Sequence, residues 1–328
     1  MNKVCVIGGA TWDVLLTSNE AKFVNVKSGG RKQQALAFLY GAKIDTIGSE
    51  YSFGGGAANV SVGLRRLGIP VDIVTQLGND WRSKDIINHL KQEGVGISNV
   101  IFDKKAYSAI SFIITSGGAH EHVAFVDRGA TLNFNINTQL AIKPFQWFYI
   151  TSLANPSWFK YMASFLRQAK VNQKNVFWNP GSLQLKSPKQ LRPLLKYLTV
   201  LDLNKDEAFK LVYDFGFRPH SIVEVMRIIQ KLGVKIVIVT AGASGAYCLA
   251  DDRVVFCPSF HVKPKNTIGA GDAFGSGWLA GFLNSRGDIK QAMRWGMANS
   301  NSVIMKVGAQ KGLLQKTKLL NFVKRYGK

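Results

Sequence analysis

Short runs of β-branched and aromatic residues alternate with longer amphipathic segments along most of the 328-residue chain. Each run is almost wholly apolar and ends in small or polar residues, as strands of a buried parallel sheet do. The runs lie at 4–7, 71–74, 147–150, 175–178, 200–203 and 236–240. Segments with helical spacing of apolar residues separate several of them, at 57–67, 82–93, 156–169 and 221–232. This alternation predicts an α/β fold with a doubly wound, mostly parallel sheet flanked by helices.

Two regions interrupt the alternation, at 14–53 and 106–134, where polar and apolar residues alternate as in half-buried strands. In the second region, segments 110–115 and 123–126 flank the turn sequence Ser116-Gly117-Gly118, which predicts a hairpin. We therefore expect a single domain, 1–328, in which both regions form a small β-sheet lid over the carboxyl ends of the parallel strands. Exposed edge strands of such a lid would also allow a homodimer to form through it.

The composition is that of a globular protein with a large core, since 46% of the residues are hydrophobic and 19% are charged. No stretch approaches the roughly 18 uncharged apolar residues that a membrane span needs, so we expect no membrane partner. Cys5, Cys248 and Cys257 form no CxxC pair and cannot all be paired with one another. A reducing cytoplasm is therefore the simplest expectation for the location of the protein.

The chain is strongly basic, because 42 Lys and Arg residues against 20 Asp and Glu residues give a formal net charge of +22. Such a protein attracts anions, including nucleotides and nucleic acids. However, the basic residues are scattered, and no arginine-rich run interleaves with aromatic residues as in a nucleic-acid groove. We therefore attribute the excess charge mainly to solubility and do not expect a nucleic-acid partner.

The clearest functional signal is a glycine-rich run near the C-terminus, Asn266-Thr267-Ile268-Gly269-Ala270-Gly271-Asp272-Ala273-Phe274. An extended segment, 256–262, is expected before it, and apolar residues at Phe274, Trp278 and Phe282 continue it with helical spacing. The run therefore places 269–271 on the first turn of a helix. Unpaired backbone N–H groups and the positive end of the helix dipole bind anions such as phosphate there.

Asp272 follows directly, and its carboxylate would repel a phosphate bound at that helix end. The position makes chemical sense if Asp272 removes a proton from a hydroxyl group that attacks the phosphate. The alternative is structural, with glycines that pack the helix tightly and Asp272 as its cap. The Walker pattern GxxxxGK[ST] and the Rossmann pattern GxGxxG are both absent, so this anion site differs from either common nucleotide-binding motif.

A second glycine cluster, Gly54-Gly55-Gly56-Ala57-Ala58-Asn59, begins another predicted helix. Three glycines let the backbone approach a ligand closely, and Asn59 offers both a donor and an acceptor to a hydroxyl group. Asp13, just after the first strand, is placed to accept hydrogen bonds from a polyol. These residues predict a sugar-binding site, with a flexible turn and a helix or turn cap as the structural alternatives.

With both motifs, the chain resembles the ribokinase-like (PfkB-type) carbohydrate and nucleoside kinases over almost its whole length. The Gly269-Ala270-Gly271-Asp272 motif is a specific signature of that family. The resemblance implies a central sheet flanked by helices with a β lid. It also implies transfer of the γ-phosphate of ATP, with Mg²⁺, to a hydroxymethyl group of a sugar, sugar phosphate or nucleoside.

By the same resemblance, Asp272 corresponds to the catalytic base and the backbone of Gly269, Ala270 and Gly271 to the anion hole. The implied acceptor-binding residues are Asp13, Gly55, Gly56 and Asn59. The implied nucleotide-binding residues are Asn204, Glu207, Thr240, Gly242, Gly245 and Asn299. Of these, Glu207 would lie near a hydrated Mg²⁺, and it could also form a helix capping box with Asn204, which does not exclude the functional role.

One position departs from the family pattern, which commonly has Asp where this chain has Asn266. In many members that Asp helps to hold a potassium ion beside the anion hole. Loss of its charge weakens a cation site, although carbonyl oxygens near Ile268 and Gly308 could still contribute to one. We therefore expect ATP and Mg²⁺ as cofactors, while a requirement for K⁺ is doubtful. Lys265 or Lys306 could supply positive charge instead.

The acceptor class rests on two positions. Phosphosugar kinases of the family often carry a Lys where this chain has Gly56 or Ala57, so its absence favours a free, ribose-like sugar or a nucleoside. Arg128 keeps a phosphorylated or acidic sugar open as the alternative. A non-catalytic sensor of sugars or nucleotides is a further alternative, although a sensor would need neither Asp272 nor an intact anion hole.

Overall fold

A computed structural model describes residues 3–28, 31–116, 122–136 and 142–327. The strands are β1 (Val4–Ile7), β2 (Thr11–Ser18), β3 (Lys22–Ser28), β4 (Arg31–Ala37), β5 (Gly48–Gly54), β6 (Val71–Val74), β7 (Gln76–Gly78), β8 (Ile101–Asp103), β9 (Ile110–Ser116), β10 (Val123–Asp127), β11 (Trp147–Ile150), β12 (Asn175–Trp178), β13 (Val200–Asn204), β14 (Ile236–Thr240), β15 (Ala246–Ala250) and β16 (Arg253–Cys257). The α-helices are α1 (Gly56–Arg66), α2 (Trp81–Gln92), α3 (Trp158–Val171), α4 (Ser182–Leu185), α5 (Pro188–Leu191), α6 (Lys205–Asp214), α7 (Ile222–Lys231), α8 (Ala270–Asn284), α9 (Ile289–Ile304) and α10 (Lys316–Tyr326). Short 3-10 helices span Gly129–Asn133, Arg192–Tyr197 and Gly242–Ser244.

Eight strands form the central sheet in the order β16-β15-β14-β13-β12-β11-β1-β6. Neighbours from β14 to β6 pair in parallel, whereas β15 and β16 add an antiparallel edge. The predicted strands at 4–7, 71–74, 147–150, 175–178 and 236–240 have those bounds, and β13 runs one residue further than predicted. The mostly parallel, helix-flanked sheet expected from the sequence is therefore confirmed.

The central sheet is buried on both faces. Val4 and Val6 of β1 belong to a core with α1, α8 and α9, whereas Cys5 and Ile7 belong to a second core with α3, α6 and α7. This division follows from the two-residue period of a strand, which sends alternate side chains to opposite faces. Burial on both faces explains why these strands are almost wholly apolar. Asp202 departs from the pattern, since its carboxyl lies within buried β13.

A smaller sheet, here called the small sheet, has the strand order β10-β9-β2-β5. β9 and β10 form the predicted hairpin, whose turn at 117–121 lies outside the described residues, and β2 lies parallel to β9. β3 and β4 form a separate antiparallel pair. The small sheet thus combines strands from both interrupting regions, although β2 begins slightly before the first of them, at Thr11.

The segment that leads from β16 to α8 differs from the expectation of an extended run through 256–262. The strand ends at Cys257, and residues 258–266 have no strand or helix. Pro258 follows immediately, and proline has no N–H with which to continue a strand ladder.

Within the described ranges, no helix is both long and apolar enough to cross a membrane.

Candidate active site

The predicted anion site lies at the start of α8, which begins at Ala270. Gly269 precedes the helix with a φ of +74°, a left-handed conformation that favours glycine. A Cβ at Gly269 would also come within 2.6 Å of the Ala309 Cβ. The backbone N–H groups of Gly271 and Asp272 make no hydrogen bond to any described residue. Both donors are therefore open to an anion.

Asp272 lies on the same turn, and Asn59 Nδ2 donates a hydrogen bond of 2.8 Å to its Oδ2. Burial raises the pKa of Asp272 from 3.8 to about 6, although the Asn59 hydrogen bond acts in the opposite direction. At neutral pH the group is therefore a carboxylate that accepts a proton more readily than an exposed Asp does. The structure thus brings the predicted base into direct contact with a predicted acceptor-binding residue.

The second glycine cluster borders a cavity of about 100 Å³, here called the acceptor cavity, at the carboxyl end of β1. Gly55 and Gly56 line it together with Thr11 and Arg128. Gly55 has a φ of +84°, and a Cβ there would lie 2.5 Å from the Gly9 carbonyl oxygen. Only glycine lets this loop pass so close to the chain that follows β1.

Asp13 lies in β2 and is 6% exposed. Ser111 Oγ donates a hydrogen bond of 2.5 Å to its Oδ1, and a Cβ added to Gly54 would collide with its Oδ2. Burial raises the pKa of Asp13, while hydrogen bonds from Ser111 and Thr11 lower it. Asp13 is therefore held against the glycine cluster, although it does not itself line the acceptor cavity.

A larger cavity of about 380 Å³, here called the nucleotide cavity, opens beside the start of α8. It brings together Thr240, Gly242 and Gly245, which follow β14, with Ala270 and Gly271 of α8. Segment 259–264 and α9 supply most of the remaining wall, much of it apolar. Apolar walls with open amides at one end suit a nucleotide, whose base would pack against the walls and whose phosphates would face α8.

Asn299 does not line the nucleotide cavity, in contrast to its predicted contact with the nucleotide. Its side chain is fully buried and joins α9 to neighbouring elements. Its Nδ2 donates to the Ala273 carbonyl oxygen at 2.9 Å, and its Oδ1 accepts from the Leu314 N–H at 3.0 Å. Ser300 and Asn301 line the cavity instead. The resemblance located the right helix, but the rotation of that helix decides which residues face the cavity.

Asn204 and Glu207 form the capping box that their spacing allows at the start of α6. Asn204 Oδ1 accepts from the Glu207 N–H at 2.9 Å, and Glu207 Oε2 accepts from the Asn204 N–H at 3.0 Å. Neither side chain lines the nucleotide cavity. Burial raises the pKa of Glu207, although the hydrogen bonds with Asn204 act in the opposite direction, and the charge of Asp206 adds to the rise. The other oxygen of Glu207, Oε1, has no hydrogen bond to a described residue.

Asp202 adds a buried carboxyl beside this group. Burial holds the pKa of Asp202 well above its usual range, and the charges of Glu207 and Asp272 raise it further. Burial also raises the pKa of Tyr149, on which Asp202 and Asp272 act in the same direction. The buried Tyr149 hydroxyl has no hydrogen-bond partner among the described residues. Buried ionisable groups thus lie in a poorly solvated region near the open amides of α8, where burial favours their neutral forms.

The carboxylates of Asp202, Glu207 and Asp272 form no ion pair with a Lys or Arg in the described part of the chain. Because Glu207 Oε1 is open to water, Glu207 fits the position predicted for it near a hydrated Mg²⁺. No three His, Cys, Asp or Glu side chains among the described residues could hold a metal ion by themselves.

The Asn266 side chain, at the expected monovalent-cation position, does not fit a potassium ligand. Asn266 is 2% exposed, and its Oδ1 accepts a hydrogen bond of 3.1 Å from the Ile268 N–H. Its buried Nδ2 has no partner among the described residues, and such an N–H group repels a cation.

Two residues of this region, Asp202 and Gln310, were not identified from the sequence. Asp202 could have been found, because a charged residue inside the apolar run 200–203 is rarely buried without a reason. Gln310 donates from Nε2 to Asn59 Oδ1 at 3.0 Å, and 251 positions separate the two residues. No local pattern could have joined them.

A doubly wound α/β sheet with an open helix start, an aspartate on the same turn and two cavities near the helix start is an arrangement that suits phosphoryl transfer to a small molecule. A sequence model of the pfkB family of carbohydrate kinases matches residues 3–316. The chain therefore belongs to the pfkB carbohydrate kinase family, and it is a phosphotransferase with an alcohol group of a carbohydrate or nucleoside as acceptor.

Known proteins of two related kinds are similar to this chain. The ribokinase of Haemophilus influenzae is 25% identical over 285 residues, which cover 84% of this chain and 88% of that protein. The crystal structure of the Methanocaldococcus jannaschii nucleoside kinase matches with a TM-score of 0.79 and 20% identity, over 99% of both chains. The Burkholderia thailandensis nucleoside kinase in complex with inosine matches with a TM-score of 0.79 and 18% identity, again over 99% of both. These structures confirm the fold.

Proposed function

We propose that this protein transfers the γ-phosphate of ATP to a primary hydroxyl group of a free, ribose-like sugar or a nucleoside, with Asp272 as general base. The contact between Asp272 and Asn59 carries the proposal. Asp272 shares its helix turn with Ala270 and Gly271 of the nucleotide cavity, and Asn59 shares its turn with Gly56 of the acceptor cavity. A hydroxyl held in one cavity would therefore meet a phosphate held in the other beside Asp272.

In the proposed step, Asp272 removes the hydroxyl proton while the hydroxyl oxygen bonds to the terminal phosphorus and ADP leaves with the bridging oxygen. The open N–H groups of Gly271 and Asp272 would stabilise the charge that builds up on the transferred group. Mg²⁺, when bound, supplies further neutralisation of the phosphates. Asp13, Gly55, Gly56 and Asn59 would orient the acceptor. Thr240, Gly242 and Gly245 would line the nucleotide, with Glu207 reaching Mg²⁺ through water.

We consider two classes of acceptor, an uncharged sugar or nucleoside and a phosphorylated or acidic sugar. Gly56 and Ala57 stand where a phosphosugar kinase often has Lys, which supports an uncharged acceptor. Arg128 supports the second candidate, a phosphorylated or acidic sugar, because it is the charged side chain among those that line the acceptor cavity. It has no hydrogen bond or ion pair from its guanidinium to a described residue, so it is available to an anionic group of the acceptor.

We further propose one kinase domain, 1–328, in which the segments at 14–53 and 106–134 act as a lid. The hydrogen bond from Ser111 to Asp13 supports this role, because it joins two strands of the small sheet directly beside the glycine cluster. A lid there would exclude water that would otherwise accept the phosphate. The three free cysteines support a reducing, cytoplasmic location.

A homodimer through the small sheet is part of the proposal. Tyr51, Val14, Phe112 and Phe125 are successive cross-strand neighbours on one face of that sheet. Tyr51 and Phe125 are 67% and 61% exposed, although both are large and aromatic. A second copy would cover this row, and the edge strands β5 and β10 would offer further pairing sites.

The test is ADP release from ATP and Mg²⁺ with a panel of free sugars, phosphosugars, acidic sugars and nucleosides. Turnover with a free sugar or nucleoside supports the proposal, and turnover only with a charged acceptor supports the second candidate. A panel without turnover, from a protein whose melting temperature still rises with ATP, would favour the non-catalytic sensor and overturn the kinase assignment at this site.

A further inference from the structure

A chain of three hydrogen bonds runs inward from α2 to the proposed base. His89 Nε2 lies 2.7 Å from Gln310 Oε1, and Gln310 Nε2 lies 3.0 Å from Asn59 Oδ1. Asn59 Nδ2 completes the chain at 2.8 Å from Asp272 Oδ2. The four side chains come from α2, from the segment between α9 and α10, from α1 and from α8. Tertiary folding alone brings them together.

The chemistry of Asp272 determines the direction of every bond in this chain. A carboxylate only accepts hydrogen bonds, so Asn59 turns its Nδ2 to Asp272 and its Oδ1 to Gln310. The Asn59 oxygen needs a donor, which the Nε2 end of the Gln310 amide supplies. The Oε1 end of Gln310 then faces His89, which donates from Nε2. All three donors therefore point toward the carboxylate.

His89 and Gln310 are themselves held in place. The His89 ring stacks on Phe53, with ring centroids 4.2 Å apart and ring planes 11° apart. The main-chain carbonyl oxygen of Gln310 accepts a hydrogen bond of 2.9 Å from Arg66, and Gln310 is 5% exposed. Neither His89 nor Gln310 lines the acceptor cavity or the nucleotide cavity. Their side chains are linked to Asp272 through Asn59.

We propose that Gln310 and His89 are positioning residues, which hold the Asn59 amide in the one orientation that donates to Asp272. This inference rests on the proposed role of Asp272 as general base. Without the Gln310 donor, the Asn59 amide can rotate and accept a hydrogen bond from protonated Asp272, which favours the protonated carboxyl. The pKa of Asp272 would then rise above about 6, because the Asn59 hydrogen bond opposes the effect of burial. Activity would require a higher pH.

Other ionisable groups lie near both ends of the chain. Asp202 and Tyr149 interact with Asp272, and Glu93, which is bound to Arg66, interacts with His89. A substitution of Gln310 by a neutral residue changes none of these charges. A shift in the pH dependence of the reaction would therefore come from the Asn59 hydrogen bond.

The test is the pH dependence of kcat and of the acceptor KM in the Gln310→Met and His89→Phe variants. Methionine keeps the length of glutamine but lacks its donor, and phenylalanine keeps the ring that stacks on Phe53 but lacks the donor to Gln310. We expect the acid limb of kcat to move up by about one pH unit in Gln310→Met, and by less in His89→Phe. Gln315→Met, an exposed position before α10, is the matched control and should leave the limb in place.

A merely structural role would lower kcat by the same factor at every pH, or lower only the melting temperature. An unmoved acid limb in folded Gln310→Met protein overturns the proposal. If that variant does not fold, an unmoved limb in His89→Phe overturns it. Asp272→Asn separates this inference from the proposed function. An active Asp272→Asn protein refutes the general base, whereas an inactive one beside an unmoved Gln310→Met limb refutes only the positioning role.

Discussion

Replacement of Asp272 by Asn should stabilise the protein at neutral pH. The pKa of Asp272 rises from 3.8 to about 6 on folding, mainly because the carboxyl is buried. The folded state therefore binds the proton more tightly, so this contribution to stability is complete below pH about 4 and is lost as the pH rises through about 6. A rise of this size corresponds to about 3 kcal/mol at neutral pH, and because residue Asp272 is partly exposed to solvent we expect about 1–3 kcal/mol.

Asparagine has nearly the same shape as aspartate and can still accept the Asn59 hydrogen bond, but it carries no charge. We expect the free energy of unfolding of Asp272→Asn to exceed that of the wild type by about 1–3 kcal/mol at pH 7.5, with little difference at pH 4. The melting temperature should rise by about 2–4 °C at pH 7.5.

Urea denaturation at both pH values measures this difference. Asp85→Asn makes the same chemical change at an exposed position of α2, and it should leave stability nearly unchanged. A variant at position 272 that is less stable than the wild type at pH 7.5 would refute the reasoning. A gain of equal size at both pH values would refute it as well, because the effect could not then come from the buried charge.

Three further expectations concern the ions, the acceptor and the assembly. Turnover of the wild type should differ by less than about two-fold between K⁺ and tetramethylammonium, whereas Asn266→Asp should gain activation by K⁺, since a buried carboxylate binds a cation that an N–H group repels. Strong activation of the wild type by K⁺ would contradict this. Arg128→Gln should raise KM about ten-fold for an acceptor with a carboxylate or phosphate, and change it little for an uncharged one, as steady-state kinetics would show. Phe125→Glu should shift sedimentation from dimer to monomer, and a wild type that is monomeric at all concentrations would exclude the dimer.

The strands of the central sheet could be predicted closely because their signal is local. Burial on both faces requires short apolar runs, and Trp147–Ile150 or Ile236–Thr240 is bounded by polar or small residues that end the strand. The approach to α8 could not be predicted as well. Residues 258–262 look extended in sequence, but Pro258 ends the ladder of an edge strand, and the following residues line the nucleotide cavity instead.

In the candidate site, too, residues with a local sequence signal could be predicted, whereas residues that depend on tertiary contacts could not. Gly269 and Asp272 were visible as a local motif at a helix start. The hydrogen bond between Asn59 and Asp272 joins residues 213 positions apart, so their contact was open to prediction only through resemblance to a family. The inward turn of Asn299 depends on how α9 packs against α8, which periodicity does not specify to within one residue. Gln310 could not be predicted from the sequence, because its hydrogen bond to Asn59 joins residues 251 positions apart.

The most direct test of the account is ADP formation by Asp272→Asn in the presence of ATP, Mg²⁺ and the acceptor found in the panel, with ATP binding measured alongside. The account predicts that turnover falls by orders of magnitude, because Asn at position 272 cannot take the hydroxyl proton as Asp272 does in the proposed step, while ATP binding stays nearly unchanged. A variant that keeps more than about a tenth of the wild-type turnover would contradict the assignment of Asp272 as general base.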